Sequence, residues 1–208
     1  MSEGYILKKT EKSLPLNWYF NQKQFDKEIT KVLSKEWLYV CHVDSISKPL
    51  SFHTVEISKL NILIIRDKEG DINAFYNSCS HRGSILKKEK RGKLKSNLLI
   101  CPYHQWSYNA SNGNLVRTSS ITNPENFKKD KNCLTKIKIK IWNGLIFINL
   151  NSSAKWNVKK VFPDYSNAFS QLNVSDYQIG HTWKKKIKCN WKIFWENYSE
   201  CLHCPNLH

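Results

Sequence analysis

The stretch Cys79-Ser80-His81-Arg82-Gly83, followed after a lysine-rich interval by Cys101-Pro102-Tyr103-His104-Gln105-Trp106, decides how this chain is read. Each segment offers one soft thiolate and one imidazole, and nineteen residues separate the two pairs. Two thiolates suit one iron of a [2Fe–2S] cluster and two imidazoles suit the other. One Cys and one His on each of two loops therefore lets the loops clasp such a cluster through Cys79, His81, Cys101 and His104. Two Cys and two His also satisfy zinc, but zinc spacings keep like ligands together, as C-x2-4-C and H-x3-5-H. The mixed pairs here favour the cluster. Gly83 would ease backbone crowding beside it, and Pro102 would stiffen its loop.

Outward from the loops the pattern is one of short strands. Ile62 to Ile65 is a compact β-rich run, and Lys68-Glu69-Gly70-Asp71 reads as a turn returning through Ile72 to Tyr76. Leu98 to Ile100 is a further strand, and Asn112-Gly113 a tight hairpin turn. Lys136 to Lys140 alternates Lys and Ile, which suits a strand with one wet face. Asn143-Gly144 turns it into Leu145 to Leu150. Before Pro49, the apolar residues Phe25, Ile29, Val32, Leu33 and Trp37 fall at helical spacing over Asn21 to Trp37. After the β region, Asn151 to Lys160 reads as a polar linker. A helix is expected around Val161 to Leu172 and a strand from Tyr177 to Lys188.

The last nineteen residues read NWKIFWENYSECLHCPNLH, from Asn190 to His208. At about 100° per residue, Trp191, Phe194, Trp195, Tyr198 and Leu202 gather on one helix face. Asn197, Glu200 and His203 line the opposite face, and Pro205 lets His208 swing back toward His203. Two imidazoles and a carboxylate with open positions suit non-haem Fe(II). The same residues also read as ordinary surface side chains, and Cys201 with Cys204 as a thiol or zinc pair.

The bulk properties bound the partners. The chain has 208 residues, 40% hydrophobic, with seven cysteines and a net charge of +16, mostly lysine. No apolar run approaches the roughly 20 residues of a membrane helix, and the N-terminus lacks a signal-peptide core. A cytoplasmic protein with no membrane partner is expected, with no disulfide framework. The lysines are dispersed without a nucleic-acid motif, so they read as a solvated surface or as a field for an acidic redox partner, and no nucleic acid is expected.

CSHRG followed by CPYHQWSY resembles the Rieske domain of ring-hydroxylating and related non-haem iron oxygenases. Respiratory Rieske proteins add a disulfide-forming cysteine to each loop, where Leu86 and Tyr103 stand here. Gln105 departs from the glycine common after the ligand His, a difference expected to change a turn and not the ligands. NWK-x3-EN-x2-E-x2-H-x4-H is similar to the mononuclear iron motif of the same family. The resemblance implies that His203 and His208 ligate Fe(II). It implies that Glu200 stands where an acidic residue links the cluster of one subunit to the iron of its neighbour, and that Asn197 lies near the iron. It places the third ligand, an Asp, well downstream, so an N-terminal part of a longer α-type subunit is expected.

The fold class so implied is α+β. An N-terminal helical segment occupies 1–39, an all-β Rieske domain 40–150, and the start of an α+β catalytic domain, truncated, 151–208. The implied activity is O2-dependent oxygenation of a small organic substrate, with electrons from NAD(P)H through a reductase or ferredoxin, in a trimer-based oligomer. The C-terminal run looks closest to members acting on quaternary ammonium compounds, by hydroxylation or N-demethylation. An aromatic-ring dioxygenase and a Rieske ferredoxin acting only as an electron carrier are the alternatives. Lys87, Lys88, Lys90, Arg91, Lys93 and Lys95, between the ligand loops, are expected to dock an acidic donor.

Overall fold

The computed structural model describes residues 12–119, 123–162 and 171–200. Contacts divide these into two units: 31–182, and a second built from the described residues on either side of it. The sequence-based limits of 39 and 150 do not coincide with this division, because the N-terminal helices pack with residues after Trp183.

The larger unit is built on antiparallel strands: β1 (Leu38–His42), β2 (Ser51–Ile57), β3 (Leu60–Arg66), β4 (Ile72–Tyr76), β5 (Arg91–Lys93), β6 (Leu98–Ile100), β7 (Ser107–Asn109), β8 (Leu115–Arg117), β9 (Lys138–Trp142) and β10 (Leu145–Asn149). They form three sheets, ordered β1-β10-β9, β4-β3-β2-β5 and β6-β7-β8. Strand β3 shows why its apolar run is continuous. Side chains alternate across a strand, so Leu63 and Ile65 enter one core while Ile62 and Ile64 enter another. All four are fully buried, and β3 is the wall between the cores. The first core also contains Phe75, Leu99, Tyr108 and the thiols of Cys79 and Cys101. The ligand loops are thus anchored in the most densely buried part of the unit.

The expected hairpins form, but the one at Asn112-Gly113 is not a tight two-residue turn: residues 110–114 join β7 to β8, and of the pair only Gly113 is left-handed, at φ 78°. Asn143 and Gly144 adopt φ of 47° and 78°, the pair of left-handed residues a two-residue hairpin turn uses. The strand before them runs Lys138–Trp142, two residues later than its Lys/Ile alternation suggested. Asn151 to Lys160 is more than a linker: Trp156 packs edge-on to Trp37 at 5.2 Å and against Phe147 at 5.2 Å, and a short helix, α3, runs Val158–Val161. Most of the helix expected over Val161 to Leu172 lies outside the described residues. Tyr177 to Lys188 is not a strand. No strand pairs with it among the described residues, and nearly all of it is exposed.

The smaller unit holds α1 (Asn17–Phe20), α2 (Gln22–Glu28) and α4 (Trp191–Ser199). Helix α2 passes into a π-helical turn, Ile29–Leu33, and helical structure ends there. It does not reach Trp37, which is drawn instead onto Trp156, and Val32 is 42% exposed. Asn190 caps α4, its side chain accepting from Lys192 N at 3.0 Å. The described helix stops at Ser199, so Glu200 is extended, at φ −118° and ψ 143°. Glu200 therefore leaves the helical line expected to join it to Asn197. No helix among the described residues is long and apolar enough to cross a membrane.

Candidate metal centre

Each ligand loop is a tight turn closed on its cysteine. Cys79 N donates to Ser84 O at 2.8 Å, and Gly83 N donates back to Cys79 O at 2.9 Å. In the second loop, Cys101 N donates to Trp106 O at 2.8 Å and Gln105 N to Cys101 O at 3.0 Å. Both turns need a left-handed residue at their fifth position, counting the cysteine as the first. Gly83 supplies it at φ 68° and Gln105 at φ 59°. The turn expected to change at Gln105 is therefore kept, with Gln forced into the conformation glycine would take without strain.

The two turns bring the four side chains together as two like pairs. The thiols of Cys79 and Cys101, 3% and 1% exposed, lie close enough to perturb each other's ionisation. The imidazoles of His81 and His104 meet edge to face at 4.8 Å, with His81 exposed and His104 half-buried. Thiols lie dry and imidazoles face water. Among the described residues no three His, Cys, Asp or Glu side chains gather as the shell of a single metal ion.

The electrostatics treat the two sulfurs differently. At Cys101 burial is outweighed by backbone N–H groups of His104 and Tyr103 aimed at the sulfur, and the thiol is pulled below its ordinary range. At Cys79 burial wins and pushes the thiol up, although Tyr108 and the backbone N–H of His81 favour the thiolate. Tyr108 Oη stands 3.0 Å from Cys79 Sγ and 3.0 Å from Ser80 Oγ. Ser80 gives its own proton to Asn132 O at 2.6 Å, which leaves the phenol proton for its neighbours. Burial holds the Tyr108 phenol far above its usual range, so that proton stays in place. His81 stacks on Trp106 at 4.6 Å and 9°. Desolvation, then the neighbouring His104 and Arg82, lower its pKa, a shift toward the neutral ring that a ligand requires.

This donor set fits a [2Fe–2S] cluster: a dry, N–H-supported thiol pair for one iron and an accessible imidazole pair for the other. The sequence motifs contained Tyr108, Ser80 and Trp106 but assigned them nothing. Trp106, Tyr108 and Ala110, at alternate positions around β7, all enter the same core, and that period-2 spacing of apolar residues is the signal that points them inward.

Asn197 is exposed on α4 and Glu200 is half-buried just beyond it. His203 and His208 lie outside the described residues, as do Cys201, Leu202, Cys204 and Pro205. Cys41, Cys79, Cys101, Cys133 and Cys189 are free thiols. Of the basic residues between the loops, Lys88, Lys90, Lys93 and Lys95 are exposed. Two are engaged: Lys87 Nζ sits 5.5 Å over the Phe52 ring, and Arg91 Nε donates to His53 Nδ1 at 3.1 Å.

Comparison with known proteins matches residues 36–131 to the Rieske [2Fe-2S] domain family and residues 174–208 to the ring hydroxylating alpha subunit (catalytic domain) family. The chain is 30% identical over 198 residues to a carnitine monooxygenase oxygenase subunit of Acinetobacter pittii, covering 94% of this chain and 52% of that one. It is 32% identical over 198 residues to a glycine betaine monooxygenase oxygenase subunit of Pseudomonas aeruginosa, covering 94% and 44%. A crystal structure of a quaternary ammonium Rieske monooxygenase in complex with gamma-butyrobetaine superposes with a TM-score of 0.86 at 30% identity, covering 93% of this chain and 55% of that one. The chain spans about half the length of the curated relatives it matches. With a Rieske domain around the paired thiols and imidazoles, and residues of a ring-hydroxylating catalytic domain after it, the chain belongs to the Rieske oxygenase α-subunit family.

Proposed function

We propose that this chain serves an O2-dependent oxygenase that hydroxylates or N-demethylates a quaternary ammonium compound. Cys79 and Cys101 would hold one iron of the [2Fe–2S] cluster and His81 and His104 the other. His203 and His208 would hold a mononuclear Fe(II). When bound, the cluster supplies one-electron transfer and the mononuclear iron supplies O2 activation. The observation that carries the reading is the sorting of the ligand loops into a buried thiol pair and a water-facing imidazole pair.

The protein's own groups have separable tasks. The N–H groups of Tyr103, His104 and His81, with the Tyr108 hydroxyl, stabilise negative sulfur. Trp106 fixes the plane of His81, whose exposure gives an electron donor a short approach. Lys88, Lys90, Lys93 and Lys95 would draw an acidic reductase or ferredoxin, fed by NAD(P)H, to that approach. Glu200, clear of the helix end, would serve as the carboxylate link between subunits of a trimer, and Asn197 would stand beside the iron. The names of the relatives, acting on carnitine and glycine betaine, support a small organic cation as substrate. A cytoplasmic location, where a reduced nicotinamide supply meets free thiols, is consistent with the cysteine usage.

The test is a purified holoprotein supplied with a reductase, NAD(P)H and O2, and offered carnitine, glycine betaine, choline and an arene in turn. We expect a brown protein with iron and acid-labile sulfide, and oxygenated or demethylated product from one of the cations. A colourless protein containing zinc would overturn the cluster assignment. Turnover of the arene alone would overturn the substrate class.

A further inference from the structure

Asn190-Trp191-Lys192 opens the iron-site motif, yet none of its polar groups points to a ligand. Asn190 Nδ2 donates to Tyr19 O at 3.2 Å. Trp191 Nε1 donates to Glu28 Oε2 at 2.9 Å. Lys192 Nζ donates to both Glu28 oxygens at 2.8 Å. Gln24 adds a fourth hydrogen bond to the same carboxylate at 3.2 Å. The ammonium also lies 5.7 Å over the Tyr19 ring and 5.4 Å over the Trp191 ring. Glu28 and Lys192 are each 6% exposed.

This anchorage is concentrated. Lys192 is the single buried residue of α4, while Phe194, Trp195 and Tyr198 are 43%, 53% and 70% exposed. Apolar packing therefore does little to fix the helix within its unit. A second hold, Tyr19 Oη to Glu196 Oε1 at 2.6 Å, falls four residues after Lys192 and so on the same face. Two holds on one face set both the rotation and the axial register of α4. Glu28 lies outside both matched family spans.

We propose that Glu28 is a positioning residue for the proposed active-site helix. Its carboxylate sets the rotation of α4, and with it the places of Asn197 and Glu200. The catalytic consequence rests on the proposed oxygenase function, whereas the hold on α4 does not.

Three forms of the holoprotein test it: wild type, Glu28→Gln, and the double variant Glu28→Met with Lys192→Met. Removing one partner of a buried pair leaves a charge uncompensated, whereas replacing both with apolar groups removes that penalty. Hydrogen exchange of residues 193–199 and the ratio of product formed to NAD(P)H consumed are measured in each. We expect Glu28→Gln to speed exchange in α4 by about tenfold or more and to lower the coupling ratio. We expect the double variant to recover the thermal midpoint while exchange in α4 stays fast and coupling stays low. Unchanged exchange in Glu28→Gln, or a double variant that recovers both readouts, would overturn the proposal and leave the pair a stabilising contact only. Exchange is read without turnover. A wild-type protein lacking oxygenase activity therefore defeats the proposed function, while exchange alone still decides the hold on α4.

Discussion

Gln105 sits at φ 59° one residue after a proposed cluster ligand, where a side chain is strained. The left-handed conformation costs a non-glycine residue about 1–2 kcal/mol, and glycine returns roughly 0.5–1 kcal/mol of that as unfolded-chain freedom. Gln105→Gly should therefore stabilise the protein by about 0.5–1 kcal/mol, read as a higher urea midpoint at unchanged slope. A loss of stability would mean that the Gln side chain holds the loop. Tyr108 invites the complementary change. Tyr108→Phe removes the hydroxyl 3.0 Å from Cys79 Sγ. A net hydrogen bond of about 1 kcal/mol corresponds to on the order of 40 mV for a one-electron couple. The cluster's reduction potential should fall by about that amount, because the lost donor favoured the more negative, reduced form; an unmoved potential in protein-film voltammetry would refute it. The four proposed cluster ligands were picked out of the sequence by ligand chemistry and spacing, and the structure brings their side chains together as a thiol pair and an imidazole pair. The Tyr108–Ser80–Asn132 chain and the Trp106 stack were not, because they depend on how two loops fold against β7.

Among the elements, the Asn143-Gly144 hairpin was the most legible, since Asn-Gly dictates a backbone shape locally. The Tyr177 to Lys188 strand failed for the opposite reason: a segment can suit an extended backbone, but only a neighbouring strand makes it part of a sheet, and none pairs with it among the described residues. The β9–β10 turn carries a constraint beyond its own shape. A Cβ on Gly144 would lie 2.5 Å from Ser175 Cα and 2.7 Å from His42 Nε2. His42 Nε2 itself hydrogen-bonds Val174 O at 2.8 Å, so the turn and the Val174–Asp176 segment are packed backbone to backbone. Gly144→Ala should cost about 2–4 kcal/mol, combining left-handed strain with overpacking. Gly70→Ala is the control: its φ is 99°, but nothing lies within 4 Å, so it should cost only about 1 kcal/mol. Equal losses in thermal denaturation would show that the close approach of Ser175 is not felt.

At the scale of the whole molecule, the sequence placed the all-β domain but not its limits. Long-range contacts decide those: Trp37 packs on Trp156, and Glu28 pairs with Lys192. Composition likewise showed a basic surface but not which of its charges touch buried groups. Arg91, itself exposed, is one that does so, and its contact makes global stability depend on pH. Arg91 Nε donates to Nδ1 of His53, a ring only 5% exposed. Burial, then the charges of Arg91 and Lys90, lower the His53 pKa from 6.5 to about 4. Between those values the unfolded chain takes up a proton that the folded chain refuses, so stability must rise with pH across this window. Well above pH 6.5 both states are neutral at His53 and the contribution is flat. At about 1.4 kcal/mol per unit, the loss on acidifying from pH 6.5 to 4 amounts to at most about 3 kcal/mol from this residue. His53→Gln keeps an acceptor for Arg91 and cannot titrate. Urea unfolding of wild type and variant at pH 4.5, 5.5 and 7 should show a steeper fall for wild type, with the two curves parallel above pH 6.5. Equal slopes throughout would assign the acid sensitivity to other groups and leave the Arg91–His53 contact without a role in it.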